Sequence, residues 1–448
     1  MPAFTPQEIL VRVRDHAMRS GAAEVEVYLE IANFTEARVR QTEVEYLVQS
    51  AIQGLGFRVF VDRKVGFSYT TDIRPNIVDE LVRRTIALAS MNSPRDENRL
   101  PDEQLPLLEN LEIYDPAIEA LRPADVIDLA RKTEGHAFAA DKRVQSTRDA
   151  RAGFALYEVH FTNTFVPYLT YKSTSCWLGV TAIASDGATR REGAFGDRRR
   201  IVADLAIPEV VGRKAAERAT ARLGAKPVPT TQAPVIFEAG AAATFVAGLV
   251  PAISATNALE LRSFLGGKHN QVVASPLVTL VDDGIFRRGL GTRPFDGEGV
   301  QQRRTVVIDG GTLVKFLNTA ATAHRFSVRF TGNAARNYDT LPAVGSTNLY
   351  IAAGRTALDK MISETPRGLY VTELTGSGVD TVSGQYSQQA VGRWIEKGAL
   401  AQPVERVAVS GRLDEMLLGI DSVGRDLEVR NVFSSPSLRF KQLTIAGA

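Results

Sequence analysis

Residues 225–234 read Ala-Lys-Pro-Val-Pro-Thr-Thr-Gln-Ala-Pro, and three prolines in ten positions argue against both a helix interior and the middle of a sheet. The chain around them has 448 residues, more than one simple core usually organises. The stretch is therefore expected to link two domains, residues 1–224 and residues 235–448.

Before the linker, helix and strand signals alternate. Thr5 and Pro6 supply an N-cap and a first-turn proline for a helix to about Arg19, with Ile9, Leu10, Val13 and Ala17 on one face and Gly21 closing it. Residues 24–30, Glu-Val-Glu-Val-Tyr-Leu-Glu, have the period of a strand with one wet face. Residues 38–48 and 57–69 continue that style, with Gly54 and Gly56 read as the turn between them. Helices are expected over 75–89 and 124–139, separated by a surface connection, 93–116, rich in Pro, Asn, Asp and Glu. Residues 143–186 read as strands broken at Asn163 and Gly179, and residues 208–223 as a helix stopped by Gly224. The first domain is thus α+β, a sheet with helices mostly on one side.

After the linker the pattern changes. A short strand over 235–237 and an apolar helix over 241–254 precede a long series of turn signals, among them Gly310-Gly311, Thr331-Gly-Asn333, Gly376-Ser-Gly378 and Ser383-Gly384. Turns this frequent between short apolar runs predict a β-rich, barrel-like or sandwich domain, interrupted by helices near 357–363 and 413–419.

Composition excludes several classes. A formal net charge of +2 gives no reason to expect nucleic acid or an anionic membrane as partner. The basic run over 189–200, TRREGAFGDRRR, is broken by Glu192 and Asp197; it reads as a solvated strand edge and turn, with an anion site as the alternative. Cys176 is the only cysteine, so neither an internal disulfide nor a thiolate metal cluster is available, and beside Trp177 it reads as a buried, inert thiol. The first residues lack the basic-then-apolar layout of a signal peptide, and no apolar run is long enough to span a bilayer. A soluble, cytoplasmic protein is the expectation.

The five histidines, His16, His136, His160, His269 and His324, form no HExxH pattern, and G-x-S-x-G and phosphate-loop motifs are also missing. What remains is acidic. Within residues 259–300 lie Asp282, Asp283, Asp296 and Glu298 among glycines, a pattern compatible with turn chemistry or with a carboxylate pair for acid and base work.

A series of motifs in the second half agrees in order with one family. They are Ser263-Phe-Leu, Val272-Val-Ala-Ser, Val281-Asp-Asp, Pro294-Phe-Asp-Gly-Glu-Gly-Val300, Thr331-Gly-Asn333, Ser346-Thr-Asn348, Val371-Thr-Glu-Leu-Thr-Gly376, Val382-Ser-Gly-Gln-Tyr-Ser387 and Ser435-Pro-Ser437. On these the chain resembles the TldD/TldE metallopeptidases, also called the PmbA or modulator-of-gyrase family. The resemblance implies two kinds of subunit, a TldD-like one with HExxxH on the helix that opens the second domain, and a TldE-like one without it. Aligned back from Ser263, the HExxxH slot falls on Val246-Ala247-Gly-Leu-Val-Pro251, which offers neither a metal ligand nor a general base. Residues 382–398, with Tyr386 and Trp394-Ile-Glu-Lys-Gly398, resemble the TldE side.

The resemblance therefore implies a TldE-like, non-metal subunit of a heteromeric peptidase, with zinc in a TldD-like partner and none in this chain, acting on peptides or unfolded proteins. It implies no catalytic residue here; Ser263, Phe264, Phe295, Asp296, Glu298, His324, Asn333 and Tyr386 are the candidates to line the substrate chamber. The alternatives are a stand-alone homodimeric peptide-binding scaffold and a metal-independent hydrolase using Asp296 and Glu298.

Overall fold

The Thr5 hydroxyl accepts the Glu8 N–H, and the Glu8 carboxylate accepts the Thr5 N–H at 2.7 Å, so α1 (Pro6–Arg19) begins where the Thr-Pro pair places it. The computed structural model describes residues 4–103 and 110–447. After α1 come β1 (Glu24–Arg40), β2 (Glu43–Val61), β3 (Lys64–Thr70), α2 (Pro75–Met91), α3 (Pro123–Ala140), β4 (Val144–Asn163), β5 (Leu169–Ser185), β6 (Arg190–Arg199) and α4 (Pro208–Thr220). Each of the four helices has proline in its first turn, where a missing N–H costs nothing.

The six strands form one antiparallel sheet in the order β3-β2-β1-β4-β5-β6. Odd-numbered positions of β1 face the helices: Val25, Val27 and Leu29 pack with α1 and α2, and Ala37 and Val39 pack with α3 and α4. At Gly212 of α4 the two helices touch so closely that a Cβ would stand 2.6 Å from both Thr133 O and Ala137 N of α3. Strand β3 covers only residues 55–61 of β2, so residues 43–54 form a free edge that exposes Val44, Leu47, Val48 and Ile52.

Several sequence expectations fail in this sheet: the strands expected over 38–48 and 57–69 are each broken by a tight turn, Gln41-Thr42 and Asp62-Arg63, whose four residues all have positive φ. Gly54 and Gly56 make no turn; they sit inside β2 because Tyr338, from the second half of the chain, lies against them, its ring 2.3 Å and its carbonyl oxygen 1.9 Å from where a Cβ would be. Gly179 likewise continues β5, opposite Gly196. The even-numbered face of β1 is buried over its first half, with Glu26 at 0% and Tyr28 at 4% exposure, because the C-terminal half covers it there.

That half contains β7 (Thr231–Phe237), α5 (Ala239–Gly248), α6 (Ala255–Leu259), β8 (Leu280–Asp283), β9 (Arg304–Asp309), β10 (Thr312–Leu313), α7 (Ala320–Phe326), β11 (Ala334–Ala335), β12 (Ala343–Val344) and β13 (Leu349–Ile351). It continues with α8 (Leu358–Ser363), β14 (Arg367–Thr375), β15 (Val379–Asp380), β16 (Gln385–Glu396), β17 (Ala399–Arg412), α9 (Leu413–Leu418), β18 (Ile420–Val423), β19 (Phe433–Ser434) and β20 (Leu438–Ala446). Strands β14-β7-β20-β17-β16 pair in that order, and β16 pairs back onto β14, which closes a five-stranded barrel. Of the barrel and sandwich alternatives, the barrel forms. A smaller sheet, β10-β9-β8-β13-β19, shares its apolar core, and α5 contributes Ala241, Ala242, Phe245 and Val246 to that core. Phe245 packs edge-on against Phe237, Tyr386 and Phe440.

Residues 225–234 run into β7 at Thr231, and Pro234 is accommodated where the β7–β20 register shifts. The helix expected to 254 ends at Gly248, because Pro251 cannot continue it. The connection over 93–116 is more than surface: Leu100 and Ile113 are buried, while residues 104–109 lie outside the described residues. Helix α7, capped by Thr319 through the Thr322 N–H, has no counterpart in the sequence expectations. Among the described residues no helix is long and apolar enough to cross a membrane.

Candidate functional site

The acidic cluster turns out to be two structural devices. Strand β8 ends in Asp282-Asp283; the Asp282 carboxylate accepts the Thr347 N–H (2.7 Å), the Thr347 hydroxyl (2.8 Å) and the Asn333 amide (2.6 Å). Asp283 accepts the Ile285 N–H. Burial pushes both carboxyls above their ordinary value. Asp296 closes the turn around Gly297 and Gly299: one oxygen accepts the N–H of Glu298 (2.9 Å) and Val300 (3.0 Å), the other that of Ala334 (2.9 Å). Burial, then the neighbouring Glu298 charge, push the Asp296 carboxyl up to about 7 against those three donors.

Glu298 reaches the sheet. Its Oε1 accepts Arg58 Nη2 of β2 at 2.9 Å, and its Oε2 accepts the Ala320 N–H at the start of α7 at 2.7 Å. Arg58 also donates to Glu26 at 2.9 Å, and Glu26 takes a second guanidinium from Arg336 at 2.5 Å. Burial would lower Arg58, yet Glu26 and Glu298 hold it above its usual value. Phe295 completes the seam, with its ring 6.0 Å from Phe161 and 5.1 Å from Tyr171 of the sheet. Phe295, Asp296 and Glu298 thus stand together, buried, on the wall between the two halves.

Ser263, Phe264, Tyr386 and His324 lie apart from them, whereas Asn333 directly precedes Ala334, whose N–H donates to Asp296. The Ser263 hydroxyl donates to Ala252 O at 2.7 Å and accepts the Leu265 N–H, which uses it to fold its own loop. Phe264, partly buried, is under Lys268, and its N–H bonds Thr381 O. Tyr386 is buried against Phe245, donates to Gln388 Oε1 at 2.8 Å, and lines a cavity of about 570 Å³ at the end of the barrel with Asp380, Arg412 and Glu415. His324 stands on α7, edge-on to Phe330, with Nε2 3.4 Å from Leu100 O; burial and then Arg99 lower its imidazole pKa. Asn333 is held by Asp282 and Gly345 O.

The slot aligned with the metal motif does not fit a zinc ion. Val246 is 0% exposed within the apolar core, Ala247 carries no ligand, and Pro251 is exposed beyond the end of α5. Among the described residues no three His, Cys, Asp or Glu side chains converge as a metal site would require. Cys176 is buried, and burial pushes its thiol up to about 12.

A cavity of about 390 Å³ opens between the even face of the sheet and the C-terminal half. Arg198 and Arg200 reach it from the end of β6, Tyr28 from β1, Tyr171 from β5, and Arg293 and Arg336 from the other side. None of the residues picked out as chamber lining is part of this wall. Its only advance signal is the basic run over 189–200, whose alternative reading was an anion site. Arg293, a lone arginine beside Pro294, gives no such signal.

Three stretches match descriptions of one family: residues 25–89 as PmbA/TldA metallopeptidase domain 1, 116–223 as the PmbA/TldA metallopeptidase central domain, and 230–447 as the PmbA/TldA metallopeptidase C-terminal domain. The metalloprotease PmbA of Escherichia coli O157:H7 is 30% identical over 411 residues, 91% of this chain and 89% of that protein. A Thermotoga maritima protein described as a modulator of a DNA gyrase has the same fold, with a TM-score of 0.88 and 26% identity over 99% of this chain and 100% of that one. TldE from Thermococcus kodakarensis superposes with a TM-score of 0.86 at 22% identity, over 96% and 98%. With sheet, barrel and sequence all matched along nearly the whole length, the chain belongs to the PmbA/TldA metallopeptidase family.

Proposed function

We propose that this chain is the non-metal, TldE-like subunit of a heteromeric peptidase whose zinc sits in a TldD-like partner, and that the pair processes peptides or unfolded proteins in the cytoplasm. The observation that carries this reading is the end of α5. Zinc hydrolysis needs protein ligands around an open position and a base for the water, and Val246, Ala247 and Pro251 supply neither. The chain's part is then to wall the chamber and hold substrate. The metal-independent alternative is disfavoured by the same geometry that folds the acidic turn. Both Asp296 oxygens accept backbone N–H groups, both Glu298 oxygens are bonded to Arg58 and Ala320, and the two residues are 3% and 1% exposed, so these carboxylates are engaged in holding the fold and do not face a water-filled cleft.

Co-expression with a TldD-like chain from the same genome tests the proposal. Co-elution is expected, with zinc stoichiometric to the partner and peptidase activity that rises on adding this chain. A partner fully active alone, with no co-elution, would overturn it; a stable homodimer that binds peptide without any partner would favour the scaffold reading instead.

A further inference from the structure

The seam cavity is lined by four arginines, Arg198, Arg200, Arg293 and Arg336, against one carboxylate, Glu30. Arg336 is matched by Glu26, but its Nη2 is buried without a partner. For Arg198, Arg200 and Arg293 no carboxylate lies within 4 Å among the described residues. Arg200 is spent on carbonyl oxygens, donating to Thr174 O (3.1 Å), Gly289 O (3.2 Å) and Leu290 O, which fixes its position and leaves its charge unbalanced. Arg198 donates to the Ser175 hydroxyl at 3.0 Å and stacks over Trp177. Glu30 accepts the Tyr338 N–H, and burial pushes its carboxyl up, so it is a weak counter-charge. Four guanidinium groups gathered with only Glu30 and the Glu26 paired to Arg336 close by carry a surplus of positive charge, and an oxyanion would balance it through charge-assisted bonds.

The shape narrows the ligand. The volume falls in the range of organic ligand pockets, larger than an inorganic anion needs. Ser173, Ser175 and Asn337 add hydroxyls and amides to the wall. Beyond Tyr157, Arg198 and Asn431, which both cavities share, the space continues into a second groove lined by Phe34 and Trp177, stacked with centroids 5.6 Å apart. A cationic, arginine-lined end followed by a polar and then an aromatic wall matches an extended chain with a negatively charged terminus.

We propose that this cavity binds the terminal carboxylate of a peptide, with Arg198 and Arg293 as its anion contacts and the Phe34–Trp177 wall seating a side chain further back. That the ligand is a peptide rests on the peptidase reading; that it is an oxyanion rests on the arginines alone.

The test uses the full chain without partner, so that its outcome is independent of co-elution. Calorimetric titration and Trp177 emission are measured with an N-acetylated tripeptide bearing a free carboxylate, with the same peptide C-terminally amidated, and with inorganic phosphate. We expect the free carboxylate to bind at least tenfold more tightly than the amide. Arg293→Gln and Arg198→Gln should each weaken it by about tenfold or more, while Arg287→Gln, at an exposed site outside the cavity, leaves it unchanged. Arg198 is exposed, so its variant keeps the fold if Arg293→Gln does not. Phosphate binding as tightly as the peptide, with the same arginine dependence, would overturn the peptide assignment and leave a simple oxyanion site. No binding by any of the three probes, or binding indifferent to both arginines, would overturn the site itself.

Discussion

Asp296 accepts three backbone N–H bonds, and its carboxyl is nevertheless pushed up to about 7 because it is buried away from water and lies beside Glu298. Its folded pKa, about 7, stands above the ordinary 3.8, so between about pH 4 and 7 the folded chain holds a proton that the unfolded chain lacks. This group's contribution to stability therefore falls as pH rises through that window, by at most about 1.4 kcal/mol per pH unit. In urea denaturation from pH 5 to 8, the stability gap between wild type and Asp296→Asn should shift against the wild type up to about pH 7 and level off above it; a gap independent of pH would contradict the assignment. Glu298 is different, since it bridges Arg58 and the first turn of α7. Glu298→Ala should cost about 2–4 kcal/mol, less than a fully stranded buried charge because Arg58 keeps Glu26. The sequence showed that these two carboxylates matter and could not show to what. Arg58 is 240 positions from Glu298, and Arg336 is 310 from Glu26, so no local pattern joins them.

The starts of the first four helices were legible because a first-turn proline acts locally, whereas α7, which has a capping threonine and no proline, was not seen. Pro6, Pro75, Pro123 and Pro208 each open a helix at the expected place. Glycine was ambiguous, since a glycine required by a distant neighbour looks like one required by a turn, as Gly54 and Gly56 show. The same logic makes Gly212 a test: Gly212→Val pushes into the backbone of α3 and should cost about 1–3 kcal/mol, seen as a lower melting temperature. A second test concerns α5. Installing the metal motif with Val246→His, Ala247→Glu and Pro251→His should not yield stoichiometric zinc by elemental analysis, because position 246 points into the apolar core and position 251 lies past the helix end. Stoichiometric zinc in that variant would mean that α5 can extend and rotate, and would undercut the structural basis of the non-metal reading.

Across the whole molecule, the alternating face of β1 was read correctly as amphipathic and wrongly as wet, since alternation records polarity and not what covers it. The Glu26–Arg58–Glu298–Arg336 seam is what covers it, and it couples the sheet to the barrel half. Arg336→Met should therefore lower the stability of both halves together in one transition, by about 3–5 kcal/mol; two separate transitions would show that the seam does not couple them. The barrel carries a different kind of consequence. Strand β20 sits between β7 and β17, pairing Ile445 with Thr231 and with Val409. As the chain leaves the ribosome, the first-half sheet can form as two local meanders, β3-β2-β1 and β4-β5-β6, joined through β1 and β4, but β7 must wait for about two hundred residues before its antiparallel partner exists. Until then the edge of β7 that β20 will cover presents unpaired N–H and C=O groups, open to pairing with another strand.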